Sequence, residues 1–243
     1  MTPLTSAAEV LLATDHDPYV RLGLRNPDVS GWAGHDAVAW RATDAEERVP
    51  YLMTYGAPAD VAALLADLID QIPHNTRVTL PRGTARLLPA WVALDGTDWD
   101  FWWVDAPMPA QPGQDRVVDV PRADVGPLLT VASPTASAGP DDDHVRRWVG
   151  VPGPDGLLAC AADTSSSTGV GHIASIAVHP DARGQGLGAA VTADLTRQFF
   201  DAGMDLVTLG MYADNTAGRA LYEHLGMQNR PFTSGPLQVR SRW

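Results

Sequence analysis

Residues 173–189 read IASIAVHPDARGQGLGA, an apolar, β-branched run followed at once by a glycine-rich turn. Residue types at that spacing bind phosphate. Ile173, Ile176 and Val178 have the bias of a buried strand, and Pro180 ends it because proline cannot donate to a ladder. Beyond the turn, Leu187, Val191, Leu195 and Phe199 recur every four residues, the apolar stripe of a helix that runs until Gly203. The turn from Arg183 to Gly188 therefore opens a helix. The first amides of a helix lack intrahelical acceptors and lie at the positive end of its dipole, so Gly184, Gly186 and Gly188 let a diphosphate approach bare N–H groups.

Gly184, Gly186 and Ala189 also fit the dinucleotide fingerprint G-x-G-x-x-[GA]. There the first glycine follows its strand almost directly, whereas here His179 to Arg183 separate Val178 from Gly184, which sets that reading aside. The longer pattern resembles motif A of the GNAT superfamily of acyl-CoA-dependent N-acyltransferases, [QR]-x-x-G-x-[GA], met by Arg183, Gly186 and Gly188. A second stretch is similar to that family's motif B, N-x-x-A-x-x-x-Y-x-x-x-G-[FM]. It has a strand-like run, Leu206 to Met211, then Asn215, a short helical pattern from Ala217 to Leu225, Tyr222 and Gly226 in register. Gly218 stands where the family has alanine, and Met227 replaces the commoner Phe.

The resemblance implies an α/β fold, an α+β mixed sheet, with a GNAT fold in the C-terminal half. It further implies acetyl-CoA as co-substrate, no metal, and acyl transfer, other than of aminoacyl groups, to the primary amine of a small molecule or amino acid-like acceptor. The alternative is a non-catalytic acyl-CoA-binding or regulatory protein of the same family. The resemblance places CoA on the backbone of Ile176, Ala177 and Val178, where the family's motif-A strand bulges, and on the turn Arg183, Gly184, Gln185, Gly186, Leu187, Gly188 and Ala189, with Asn215 near the pantetheine arm. Asn215 is equally a helix cap, and Arg183 either reaches a phosphate or braces the loop.

Amine acyl transfer needs a neutral amine, a donor to the developing oxyanion and a proton for the departing thiolate. Tyr222 is the expected acid; its bland role is packing. The family's usual base, a glutamate on the motif-A strand, is missing, since the only glutamate after residue 110 is Glu223. His172, six residues before Val178, resembles a histidine that serotonin N-acetyltransferases use in proton removal, although Ala174 stands where those enzymes have a second one. A structural histidine is the competing reading, with Asp163 and Ser175 as lesser bases. Cys160 lies in an apolar run without a basic neighbour and reads as an inert thiol. Asp141 to Asp143 with His144 read as a solvated loop rather than a metal site.

Composition narrows the context. The 243 residues contain one cysteine and carry a net charge of −12; all 17 basic residues are arginine. A chain so acidic gains nothing from counterion release at nucleic-acid phosphates. No apolar window is long enough for a membrane span, the N-terminus lacks a basic signal region, and a single thiol suits a reducing compartment, so the cytoplasm is expected, as monomer or homodimer.

The Pro-rich stretch 107–114 divides the patterning into residues 1–110 and 111–243. After it, Val117–Val120, Arg122–Val131, Arg147–Val151 and Leu157–Ala162 read as strand, helix and hairpin ahead of the two motifs, the order of a GNAT core. Before it, Ala37–Trp40, Tyr51–Tyr55, Arg77–Leu80 and Trp99–Val104 read as strands and Ala59–Ile72 as a helix. This half holds six of eight tryptophans and 7 Arg against 15 Asp and Glu, a net −8. It is expected to be a degenerate GNAT-like lobe that shapes the acceptor pocket, with Phe101-Trp102-Trp103 as core or as a wall of that pocket.

Overall fold

The stripe Val61, Leu64, Leu65 and Leu68 predicts one helix. In the computed structural model of the chain, which describes residues 1–24, 28–43, 50–165 and 169–239, those four side chains are buried together. In chain order the first elements are β1 (Thr2–Ser6), α1 (Ala7–Ala13), α2 (Pro18–Gly23), β2 (Asp28–Gly34), β3 (Ala37–Thr43), β4 (Pro50–Tyr55), α3 (Pro58–Leu68), β5 (Arg77–Pro81), β6 (Val92–Leu94) and β7 (Thr97–Val104). There follow β8 (Val118–Val120), α4 (Arg122–Ala132), β9 (Arg147–Gly153), β10 (Gly156–Asp163), β11 (Gly171–Val178), α5 (Leu187–Asp201), β12 (Val207–Tyr212), α6 (Thr216–His224) and β13 (Gln228–Val239). The chain is α/β with mixed strand pairing, as the sequence predicts.

Two compact units result: Met1–Phe101 with Met211–Asp214 and Asn229–Trp243, and Trp102–Gly210 with Asn215–Gln228. They do not follow chain order. The Pro-rich stretch lies inside the second unit, where Gln114 Nε2 reaches the buried Asp194 carboxylate of α5 at 3.4 Å.

In the second unit β8, β9, β10 and β11 pair antiparallel in turn, and β11 pairs parallel with β12 after crossing over through α5. The β9–β10 hairpin turns through Pro-Asp-Gly156, whose φ of +134° suits glycine. Val125, Leu128 and Leu129 of α4 pack on Trp148, Cys160, Ala162 and Ala177. Because strand side chains alternate, the other face is left for α5, which lies so close that a Cβ on Gly171 would come 2.6 Å from Phe199 Cδ2.

In the first unit β1, β2, β3 and β4 pair antiparallel, and α3 crosses over to β5, parallel to β4. His35 and Asp36, both left-handed, make the two-residue β2–β3 turn that matches strand twist. The last strand, β13, pairs antiparallel with β5 through Phe232–Pro236 and with β6 through Leu237–Val239. Apart from a second helix, α2, in the first unit, both units run in the order strand, helix, three antiparallel strands, crossover helix and parallel strand. They differ at the fourth strand: β4 pairs with β3 in unbroken register, whereas β11 does not with β10. Among the described residues no helix is long and apolar enough to cross a membrane.

Candidate functional site

The glycine-rich turn joins β11 to α5. His179 Nδ1 accepts the Asp181 N–H at 3.3 Å, Pro180–Ala182 forms one 3-10 turn, and Arg183, Gly184 and Gln185 are exposed. Gly184 and Gly186 are left-handed, at φ +77° and +78°, with open space where a Cβ would lie. Their requirement for glycine is conformational, since a side chain in that region costs about 1–2 kcal/mol. Gly186 is also the N-cap of α5, and no side chain caps it. The first-turn amides of α5 therefore begin at Leu187, Gly188 and Ala189 without a side-chain acceptor. Leu187 and Ala189 bury their side chains and offer only backbone to a ligand. Gly188 serves a different purpose: a Cβ there would sit 3.2 Å from Leu221 Cδ2 and 3.5 Å from Val178 Cγ2, so its absence lets α6 approach α5 and the end of β11.

β11 is held by both neighbours only at its start. It pairs with β12 at Gly171, His172 and Ile173, and the pairing ends there. On the other side Ala174 pairs with Ala162 but Ala177 pairs with Cys160, so β11 spends three residues where β10 spends two. That is a bulge, centred on Ser175 with φ +50°. The Ser175 hydroxyl accepts the Ala138 N–H at 2.9 Å and donates to the Ala138 carbonyl at 2.8 Å. These two bonds make Ser175 a positioning group for the bulge. Residues Ala174 to Val178, which include the sequence-predicted Ile176, Ala177 and Val178, lie beyond the β12 ladder.

On α6 the Asn215 Oδ1 accepts the Gly218 N–H at 2.9 Å, so Asn215 caps the helix. Tyr222, one residue from Leu221, is 5% exposed, and its ring lies 5.6 Å from that of Trp102. Burial raises the Tyr222 phenol above its ordinary value. The Arg219 guanidinium stands 5.9 Å from the Trp102 ring centre. Gly226, at φ +76°, closes the helix and sends Met227 into the core. Phe101, Trp102 and Trp103 are all buried.

His172 sits at the paired end of β11, with Nδ1 2.9 Å from the Thr208 hydroxyl of β12. Its minor competitors are engaged elsewhere. Asp163 Oδ1 accepts the Ser165 N–H and hydroxyl, and Oδ2 lies 3.4 Å from Arg147 Nε. The Cys160 thiol is buried, and desolvation pushes it up to about 12, which leaves it unreactive. Asp142 Oδ1 accepts the His144 N–H at 2.9 Å and faces its ring nitrogen at 3.1 Å. Among the described residues no cluster of three or more His, Cys, Asp or Glu groups forms a metal site. Thr208 was invisible to sequence reasoning, because a threonine in a strand run carries no signal until the neighbouring strand is known.

Residues 136–227, which include the bulge, the turn, α5 and α6, match the sequence model of the Acetyltransferase (GNAT) family. They are a GNAT acetyltransferase domain. Solved structures agree at the level of fold over most of the chain. A GCN5-related N-acetyltransferase from Kribbella flavida has 19% identity, TM-score 0.58 and 95% coverage of both chains. One from Sphaerobacter thermophilus has 16% identity, TM-score 0.52 and coverage of 84% of this chain and 81% of its own. An acetyltransferase of the GNAT family from Colwellia psychrerythraea has 11% identity, TM-score 0.50 and coverage of 86% and 85%. The GNAT domain contains every sequence-predicted site residue, from His172 to Tyr222.

Proposed function

We propose that this chain transfers the acetyl group of acetyl-CoA to the primary amine of a small molecule, by direct attack within a ternary complex. The observation that carries the reading is the conjunction, within one unit, of the opened β11 edge with an uncapped helix N-terminus at its end. In this reading the diphosphate rests on the amides of Leu187, Gly188 and Ala189, beside Arg183, Gly184, Gln185 and Gly186. The pantetheine follows the backbone of Ile176, Ala177 and Val178 past Asn215, and one of those amides donates to the thioester oxygen.

The amine nitrogen attacks the thioester carbon, the C–S bond breaks, and the thiolate takes a proton as it leaves. Tyr222 is the donor in this reading, its phenol carrying a proton at neutral pH. Because burial makes it a weaker acid than a free phenol, the transfer is to the charge developing on sulfur in the transition state. The proton lost by the amine passes to His172. A covalent acyl-enzyme is disfavoured because the single thiol is buried and held protonated. The net negative charge of the chain favours a cationic acceptor over an anionic one. CoA release with acetyl-CoA against a panel of amines, amino acids and aminoglycosides tests the proposal. Turnover with one amine class supports it, and tight acetyl-CoA binding without turnover on any amine would leave a binding protein.

A further inference from the structure

We infer that Thr208 is the positioning residue that fixes the His172 ring with its proton on Nδ1 and its lone pair on Nε2. The link to catalysis rests on the proposed role of His172 as proton acceptor; the tautomer itself does not.

Thr208 is fully buried on β12 and stands opposite His172 in the parallel register. Its Oγ1 lies 3.0 Å from the Gly171 carbonyl oxygen, to which it donates, and 2.9 Å from His172 Nδ1. A hydroxyl has one proton and a carbonyl has none to give, so the Thr208 proton goes to Gly171. The remaining contact can be a hydrogen bond only if His172 Nδ1 carries the hydrogen. A neutral imidazole has a single N–H, which leaves Nε2 as its basic nitrogen.

The acceptor is itself fixed. Gly171 packs flush against Phe199, and β11 is tied to β12 over these three residues, so its carbonyl cannot swing away from Thr208. Turning the hydroxyl toward Nδ1 instead would set the Thr208 oxygen against the Gly171 carbonyl oxygen at 3.0 Å with no proton between them. Thr208 thus acts on the base as a second partner that selects which nitrogen is basic, leaving the reacting atoms untouched.

The test uses the full chain labelled with 15N-histidine. In the parent, nitrogen NMR on the neutral imidazole is expected to show Nδ1 protonated and Nε2 without a proton. A proton found on Nε2 overturns the inference without any variant being made. Thr208→Val, similar in volume, should shift the tautomer toward Nε2–H and lower kcat/KM by about tenfold, part of the ~100-fold that positioned proton transfer can contribute. KM for acetyl-CoA should be unchanged, and Thr208→Ser should restore both readouts. An unaltered tautomer in a folded Thr208→Val protein also overturns the inference. A shifted tautomer with unchanged kcat/KM upholds the Thr208 assignment and removes His172 from the reaction.

Discussion

Ser175 and Ala138 are joined by two reciprocal hydrogen bonds, hydroxyl to carbonyl at 2.8 Å and N–H to hydroxyl at 2.9 Å. A strand residue at φ +50° is thereby tied to the connection between α4 and β9. The bulge that opens β11 is held from outside the strand. Its cost is local: a non-glycine residue in the left-handed region gives up about 1–2 kcal/mol, which two hydrogen bonds of about 1 kcal/mol each can offset.

Ser175→Ala keeps the strained Cβ and loses both bonds, so it should destabilise the protein by about 2 kcal/mol. Ser175→Gly loses the bonds but relaxes the backbone, and should cost about 1 kcal/mol less than the alanine variant. Both are expected to weaken acetyl-CoA binding, because the free edge of β11 is no longer held open. Urea unfolding and calorimetry measure the two effects. An alanine variant as stable as the parent would show that the pair does not hold the bulge.

The two motif helices were legible because each carries strong local signals. Leu187, Val191, Leu195 and Phe199 give the stripe of α5, and Asn215 with Gly226 bracket α6. The strand readings 37–40, 51–55, 77–80 and 99–104 fall on β3, β4, β5 and β7. The terminal strands were not legible. β13 contains Pro231, Gly235 and Pro236, a composition that reads as loop. It becomes a strand because β5 and β6 supply partners, and Gly235 is needed where a Cβ would lie 2.1 Å from the Asp95 carbonyl oxygen. Nothing local announces such a contact. The same holds at the site: the residues were named by spacing, whereas the clamp on Ser175 and the contact between Thr208 and His172 depend on chain segments 36 or 37 positions away.

Gly186 offers a sharper probe of the phosphate cradle than Gly188. Gly186→Val places a β-branched side chain at φ +78° directly before the free amides, so acetyl-CoA affinity should fall at least about tenfold and stability by about 1–2 kcal/mol. Calorimetry on the folded variant checks this. Unchanged affinity would remove the turn from the CoA site.

Tyr222→Phe keeps the ring against Trp102 and removes only the hydroxyl. Acetyl-CoA affinity should stay near the parent value while kcat falls by about 10- to 1000-fold. Full activity would return Tyr222 to packing.

The same substitution has a consequence for stability at high pH. In the unfolded chain the Tyr222 phenol ionises near its ordinary value of about 10, whereas burial raises it in the folded protein. The unfolded state therefore loses its proton first, and folded stability should decline as pH climbs above about 10. Tyr19, fully buried and also raised, contributes to the same decline. Urea midpoints between pH 8 and 11 should fall less steeply in Tyr222→Phe than in the parent. Parallel curves would mean that the phenol is not desolvated.

His172→Ala should depress the acidic limb of the rate profile, with activity recovering at high pH where the amine is already neutral. An unaltered profile would leave proton removal to solvent.

One acetyl-CoA should bind per chain, although both units repeat the same order of elements. In the first unit β4 passes to α3 through Gly56 and Ala57 alone, with no glycine-rich turn, and β4 carries no bulge against β3. Its parallel pairing with β5 ends at Met53, but the polar groups beside it are consumed internally: Tyr51, Thr79, Ser234 and Trp99 form a chain of hydrogen bonds. Among the described residues of this unit, α3 follows β4 after two residues and begins with Pro58, which has no N–H to offer a phosphate. Calorimetric titration of the full chain should give a stoichiometry of one, abolished by Gly186→Val. A second equivalent that survives that substitution would place another CoA site in the first unit.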